Sequence, residues 1–237
     1  MKTQIKAKSL GLDHPSVKKV IGIAEEIMSQ NKVLSIETLY NRAKKRLKFP
    51  KNGLLSIIQL LLDKKILIEG SKFSKGTILK NQCRKRLYNF IMNYPGVHFS
   101  ILRKRVLCDD LGNVGSSGQL IWHLEMLLRF NSIKKTKVGN YTIFIPFDMD
   151  EEVGKQCFLI RDNINKKILN LLINQNSIKK SDVYKLINEK REIVYYRLKN
   201  LMEQELILPL KESDKEILIN SAKRDSILEV LEKSKDK

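Results

Sequence analysis

Three stretches of this chain carry one hydrophobic register, and that repetition limits the folds open to it. With Leu61, Leu127 and Leu201 aligned, Ile58, Leu124 and Leu198 coincide, as do Leu54, Leu120 and Val194. The spacing i, i+4, i+7 lies along one face of a helix. Six residues past the anchor, Leu67, Ile133 and Ile207 each start a strand-like run. A repeating unit of about 60–80 residues is at the small end of domain sizes, so each unit buries a small core and neighbours are expected to pack together.

The stretch from Pro95 to Pro146 displays the unit most fully. A helix carries Phe99, Leu102 and Val106. A Gly/Ser-rich turn, Gly112 to Gly118, leads to a second helix with Leu120, Leu124 and Leu127 on one face. Two short strands are expected at Ser132–Thr136 and Tyr141–Ile145, joined by the turn Val138-Gly139-Asn140. Helix, turn, helix and basic hairpin is the plan of a winged helix-turn-helix. In that plan the second helix enters the major groove and the hairpin lies along the backbone or minor groove.

Two segments of this stretch resemble the archaeal winged-helix transcriptional regulators. They are Asn93-Tyr94-Pro95-Gly96-Val97-His98-Phe99-Ser100 and Trp122-His123-Leu124-Glu125-Met126-Leu127. That family shows an "NPGIHF" helix start and a "YHLxxL" recognition helix, and here Trp122 stands at the Tyr position. The resemblance implies a DNA-binding regulator with the fold just described.

Taken in order, Met1 to His14 is a polar, lysine-rich arm. A helix starts at Pro15, where proline suits the first turn, and carries Val17, Val20, Ile21, Ala24 and Ile27 inward. Ser35 is placed to cap a second helix reaching Lys48, and Pro50 opens a third reaching Lys65. Ile66–Glu69 reads as a strand and Gly70–Gly76 as a short wing. A helix from Thr77 to Tyr94 leads into the central unit, with Arg84, Lys85 and Arg86 as a basic cluster. The acidic run Asp148 to Glu152 reads as a linker. A third unit comes next: helices at Arg161–Asn174, from a Ser181 cap to Glu189, and at Arg191–Gln204, then strands at Leu206–Leu210 and Ile217–Ile219. Ser221 is placed to cap a last helix with Ile227, Val230 and Leu231 on one side. The expected fold class is mainly α with small β-hairpins (α+β), built from three tandem winged helix-turn-helix modules. The expected limits are residues 1–76, 77–147 and 160–220, with a linker at 148–159 and a C-terminal helix at 221–237.

The formal net charge is +19, which points to a polyanion or an acidic partner. The excess is uneven. Residues 1–80 hold 17 Lys/Arg against 6 Asp/Glu, whereas residues 151–237 hold 18 against 15, so the electrostatic footprint falls in the first two thirds. Lysine-rich composition that merely solubilises the chain is the plainer alternative. Cys83, Cys108 and Cys157 form no CxxC pair, which argues for a reducing, cytoplasmic setting rather than a disulfide scaffold. No apolar run approaches the ~20 residues of a membrane span, so no membrane insertion is expected.

Each unit offers a different set of donors. In the first, Leu54, Leu55, Ile57, Ile58, Leu60, Leu61 and Leu62 cover most of the third helix, which therefore wants burial on two sides, against another module or a second subunit. Arg42, Lys45 and Arg46 on the preceding helix are placed to hold phosphate. In the central unit, Ser116, Ser117 and Gln119 start the recognition helix, where backbone N–H groups suit a phosphate. Trp122 and Arg129 share its outer side. Lys134, Lys135 and Lys137 with Asn140 form a wing suited to tracking a backbone, although lysines also protect exposed strands from edge pairing. In the third unit, Arg191, Tyr195 and Arg197 are the candidate DNA-contacting residues, beside a near-neutral hairpin, Lys211 to Glu216.

No catalytic set, metal site or cofactor is expected. The Gly-rich turn has no GK[ST] ending, and His14, His98 and His123 have no metal-ligand spacing. Two readings stay open. One is a double-stranded-DNA-binding transcriptional regulator, for which a homodimer on a two-fold site is one arrangement and the C-terminal helix one dimer surface. The other is a tandem winged-helix scaffold subunit that binds protein partners through its first or third module. That reading rests on similarity to modules of the ESCRT-II complex and of RNA-polymerase-associated subunits.

Overall fold

The computed structural model describes residues 11–30, 32–107, 115–210 and 215–234. The N-terminal arm before residue 11, Cys108, the first half of the Gly-rich turn and most of the third hairpin's tip lie outside the described residues. The described chain is mainly helical with two small antiparallel sheets, as an α+β class requires.

Helices α1 (Pro15–Ser29), α2 (Ile36–Leu47) and α3 (Lys51–Asp63) come first. Next are α4 (Gln82–Asn93), β1 (Val97–His98), α5 (Phe99–Val106), α6 (Ser117–Arg129), β2 (Ile133–Val138) and β3 (Tyr141–Pro146). Then α7 (Glu151–Ile160) precedes α8 (Asn163–Asn174), β4 (Ile178–Lys179), α9 (Lys180–Leu186), α10 (Arg191–Glu203), β5 (Ile207–Pro209), β6 (Glu216–Ile219) and α11 (Arg224–Lys233). The sheets have strand orders β1-β3-β2 and β4-β6-β5, so in each the last strand of the hairpin is central. Val97 pairs with Phe144 and Ile178 with Ile217.

The register read from sequence corresponds to burial. Leu61, Leu127 and Leu201 are fully buried, and the other nine aligned positions are at most 3% exposed. Each fully buried aliphatic side chain contributes about 1.5–3 kcal/mol. The helices α3, α6 and α10 also end alike. Lys65, Asn131 and Glu205, each four residues past the anchor, have φ of 53°, 49° and 53°. The next N–H in each case donates back to the anchor carbonyl, from Ile66 to Leu61, Ser132 to Leu127 and Leu206 to Leu201, at 2.9, 3.0 and 2.9 Å. This left-handed cap satisfies helix-end carbonyls and turns the chain out of the helix axis toward the next segment.

The chain forms two compact units, Met1–Asn89 with Arg103–Ile133, and Phe90–Leu102 with Lys134–Lys237. They cut across the expected 77–147 module: α6 belongs to the first unit and β3 to the second. In the first unit, Ser35 caps α2 by accepting from the Thr38 N–H, as its position suggested. Helix α3 needs no outside partner for its second side, because Leu54, Ile57, Ile58 and Leu61 are buried in a core built with α1 and α2. Only Leu55 stays well exposed. The expected strand at Ile66–Glu69 and wing at Gly70–Gly76 are absent as such. Ser71, Ser74 and Thr77 tie that segment down locally, and Leu34 exchanges backbone hydrogen bonds with Gly70 and Ser71 at 2.8 Å. Polar turn chemistry here prevails over strand propensity.

In the second unit, Val138, Ile143 and Ile145 of the central hairpin share one core with residues of α7, α8, α10 and α11. The acidic run expected as a linker is a helix start. Asp150 accepts from the N–H groups of Glu152 and Val153, and Glu151 and Glu152 favour the first turn of α7 electrostatically. Ser181 lies inside α9, which starts at Lys180 without a side-chain cap. Asn220, not Ser221, supplies the cap before the short 3-10 turn leading to α11. Ile227, Val230 and Leu231 are buried in this core, so they are not a free dimer surface. Gly96 has φ +78° and sits where a Cβ would lie 2.7 Å from the Gly154 carbonyl oxygen.

Candidate nucleic-acid interface

Four groups of expected contact residues are each brought onto one element. On α6, Ser116 is the N-cap: its Oγ accepts from the Gln119 N–H at 3.1 Å. The hydroxyl therefore organises the helix start rather than standing free. Ser117 is half-buried and Gln119 exposed. Trp122 is 50% exposed and Ile121 52%, and Glu125 is exposed one turn on. Arg129 reaches the Glu69 carbonyl at 3.4 Å. The outer face of this helix thus offers an indole, an isoleucine and a carboxylate before its single arginine.

Under Trp122 lies Arg84, one of the three cations read from the sequence as a basic cluster. Arg84 is 2% exposed, its guanidinium carbon 4.8 Å from the Phe73 ring centre and 5.2 Å from that of Trp122. Its Nε donates to the Ile78 carbonyl at 2.7 Å. Burial pushes its pKa below the ordinary arginine value. Neighbouring His123 is buried too, and desolvation, then the Arg84 charge, push its pKa down.

The hairpin of β2 and β3 sorts the three wing lysines by strand alternation. Lys135 and Lys137 are exposed on one face, and Lys134 is half-buried on the other. Gly139, with φ +54°, and exposed Asn140 make the turn. At its base Tyr141 packs on His98 and Phe158, with ring centres 5.3 and 5.4 Å apart.

On α2, Lys45 is exposed and Arg42 half-buried. Arg46 pairs with Glu26 through both terminal guanidinium nitrogens, Nη1 and Nη2. The hydrogen bond from Arg46 holds the Glu26 carboxyl below its usual range and raises the arginine correspondingly. One of the three expected phosphate donors is thereby engaged. On α10, the Arg191 guanidinium lies 5.3 Å from the Tyr195 ring centre, one turn along the same face. Arg197 points elsewhere, to Asp162 at 2.8 Å and over the Tyr196 ring. Lys199, on the same helix and read with that set, is exposed and follows Arg191 and Tyr195 at successive i+4 steps. Sequence reasoning left out Tyr196, which is exposed as well.

Among the described residues no cluster of three His, Cys, Asp or Glu is placed to hold a metal ion, and no helix is long and apolar enough to cross a membrane. The chain is thus a mainly helical α+β protein with small antiparallel sheets and solvent-facing basic groups on several elements. Over 153 residues it is 31% identical to a Methanocaldococcus jannaschii protein described as an uncharacterized HTH-type transcriptional regulator. The match covers 64% of this chain and 37% of the relative, so the chain spans well under half of that protein's length. No family model matches the chain.

Proposed function

We propose that this chain is a DNA-binding transcriptional regulator of the helix-turn-helix type, built from three tandem winged-helix copies. The observation that carries the reading is the β2–β3 hairpin, which exposes Lys135 and Lys137 on one face beside a tight turn. Two ammonium groups so placed suit the phosphate backbone, where release of condensed counterions supplies the affinity. The net charge of +19 and the HTH-type relative favour the same reading. The common αL caps at Lys65, Asn131 and Glu205 favour three copies, the first having lost its strands.

In this reading α6 contacts DNA through Gln119 and the N–H groups of its first turn, with Arg129 at the far end. Arg191, Tyr195 and Lys199 on α10 form a second set. A homodimer on a two-fold site is the simplest arrangement for such a regulator. The protein-scaffold alternative is favoured by one observation: Ile121, Trp122 and Glu125 give α6 a face better suited to protein than to phosphate.

The test is titration of the purified chain against random-sequence duplex DNA at two salt concentrations, with light scattering on the free protein. Salt-sensitive binding at low concentration is the expected result. Absence of binding at low salt, despite the charge, rejects the regulator reading in favour of a scaffold.

A further inference from the structure

We propose that the second unit also holds a site for a small aromatic carboxylate. The site is a cavity of about 570 Å³ bounded by β1, the tip of the β2–β3 hairpin, the end of α7 and the flank of α10. That volume is within the range of small-molecule sites. The walls supply two kinds of contact.

The first is aromatic. His98, Tyr141, Phe158 and Tyr196 line the cavity. His98, Tyr141 and Phe158 are in mutual ring contact, yet Tyr141 remains 53% exposed and Tyr196 58%. A flat ring inserted here completes a cluster that is half open to water.

The second is cationic. Arg161, Arg197 and Lys199 face Asp162 and Glu203, an excess of one positive charge. Among the described residues Arg161 has no carboxylate partner. Its guanidinium donates instead to the carbonyls of Gly96 and Pro95 at 3.1 and 2.8 Å, and desolvation lowers its pKa. Arg197 is paired with Asp162, but its Nε is buried with no acceptor. Buried polar atoms are seldom left unpaired, and an orphaned guanidinium N–H calls for an oxygen acceptor. A carboxylate supplies that oxygen and balances the excess charge; the ring it carries meets the tyrosines.

Gly139 and Asn140 form part of the wall, so occupancy immobilises the hairpin tip. Through that tip the ligand would act on DNA affinity, a consequence that rests on the DNA-binding function proposed for the chain; the binding of the carboxylate does not. Calorimetric titration of the full chain, without DNA, therefore tests the site by itself. Saturable one-to-one binding of 3-phenylpropionate is expected, with none for phenethylamine, which replaces the carboxylate by an ammonium. Arg197→Gln and Tyr141→Leu are each expected to weaken binding about tenfold. Should either melt early, Lys199→Gln, at an exposed wall position, carries the same expectation at about threefold. No saturation by about 10 mM, equal binding of phenethylamine, or unchanged affinity in every folded variant overturns the proposal.

Discussion

Helices α6 and α10 hold the same place in the same order of elements, yet their outer faces are unlike. Each comes after a short helix, buries its aligned leucines and ends in a left-handed cap before a hairpin. On α6 the outer face is Ile121, Trp122 and Glu125, and the positive charge sits on the next hairpin. On α10 the outer face is Arg191, Tyr195 and Lys199, while the described end of its hairpin sets Lys215 next to Glu216 in sequence, with no net charge. The inner register is held by packing, where a lost methylene costs stability. The outer face is free of that constraint and can be reassigned between base reading, backbone contact and protein contact. Shared topology therefore does not carry shared function from one copy to the next.

Four experiments sharpen or break this comparison. The largest effect is expected in the core. Leu127→Ala and Leu201→Ala should each cost about 2–5 kcal/mol in urea denaturation, since both side chains are fully buried at equivalent positions. A cost below about 1 kcal/mol at either site would break the equivalence.

Next is the residue before the first strand of each sheet. Gly96→Ala should cost about 3 kcal/mol, because the new Cβ meets the Gly154 carbonyl and the φ of +78° disfavours a side chain. Its counterpart Ser177 donates to Glu216 at 2.9 Å, and Ser177→Ala should cost only about 1 kcal/mol. Similar losses at the two sites would show that the close approach to α7 carries no special weight.

Third is DNA binding. Lys135→Ala with Lys137→Ala should lower the salt slope by about two, and adding Lys134→Ala should change it by less than one more. Arg191→Ala with Lys199→Ala measures the share of α10 on the same scale. A larger loss from the α10 pair would move the principal contact to the third copy, and an unchanged slope in the lysine triple variant would remove the wing assignment.

The smallest effect concerns pH. Burial, then the charge of Arg161, lowers the pKa of His98. The unfolded chain therefore binds a proton first as pH falls through about 6.5, so stability is complete above that value and declines below it toward the folded pKa. The melting temperature should fall between pH 7.5 and 5.5, and His98→Gln should reduce the fall. An unaltered pH profile in the variant would exclude this histidine as a source.

Much of the framework is legible in the sequence because its signals are local. Pro15 opens α1, Ser35 caps α2, and the aligned aliphatics of three helices are all buried. The same kind of signal is present at Asp150, where Asp-Glu-Glu starts a helix rather than linking two modules as its charge suggested. The first copy's strand failed for a different reason: Ser71, Ser74 and Thr77 offered the backbone local partners that no alternation pattern reveals. The candidate site was legible by element but not by side chain. Ser116 caps rather than waits for phosphate, and Lys134 faces away from Lys135 and Lys137.

The chain by itself determined which aliphatic faces turn inward and where several helices begin, because periodicity and end-capping depend on neighbours within one or two turns. Only the tertiary structure decided which cations remain available. Arg46 is engaged by Glu26, Arg197 by Asp162, and Arg84 lies beneath Phe73 and Trp122. Each partner is distant in sequence and close only after the helices pack. The stabilisation of a charge depends on what lies within a few ångströms, and no periodicity along the chain encodes that distance.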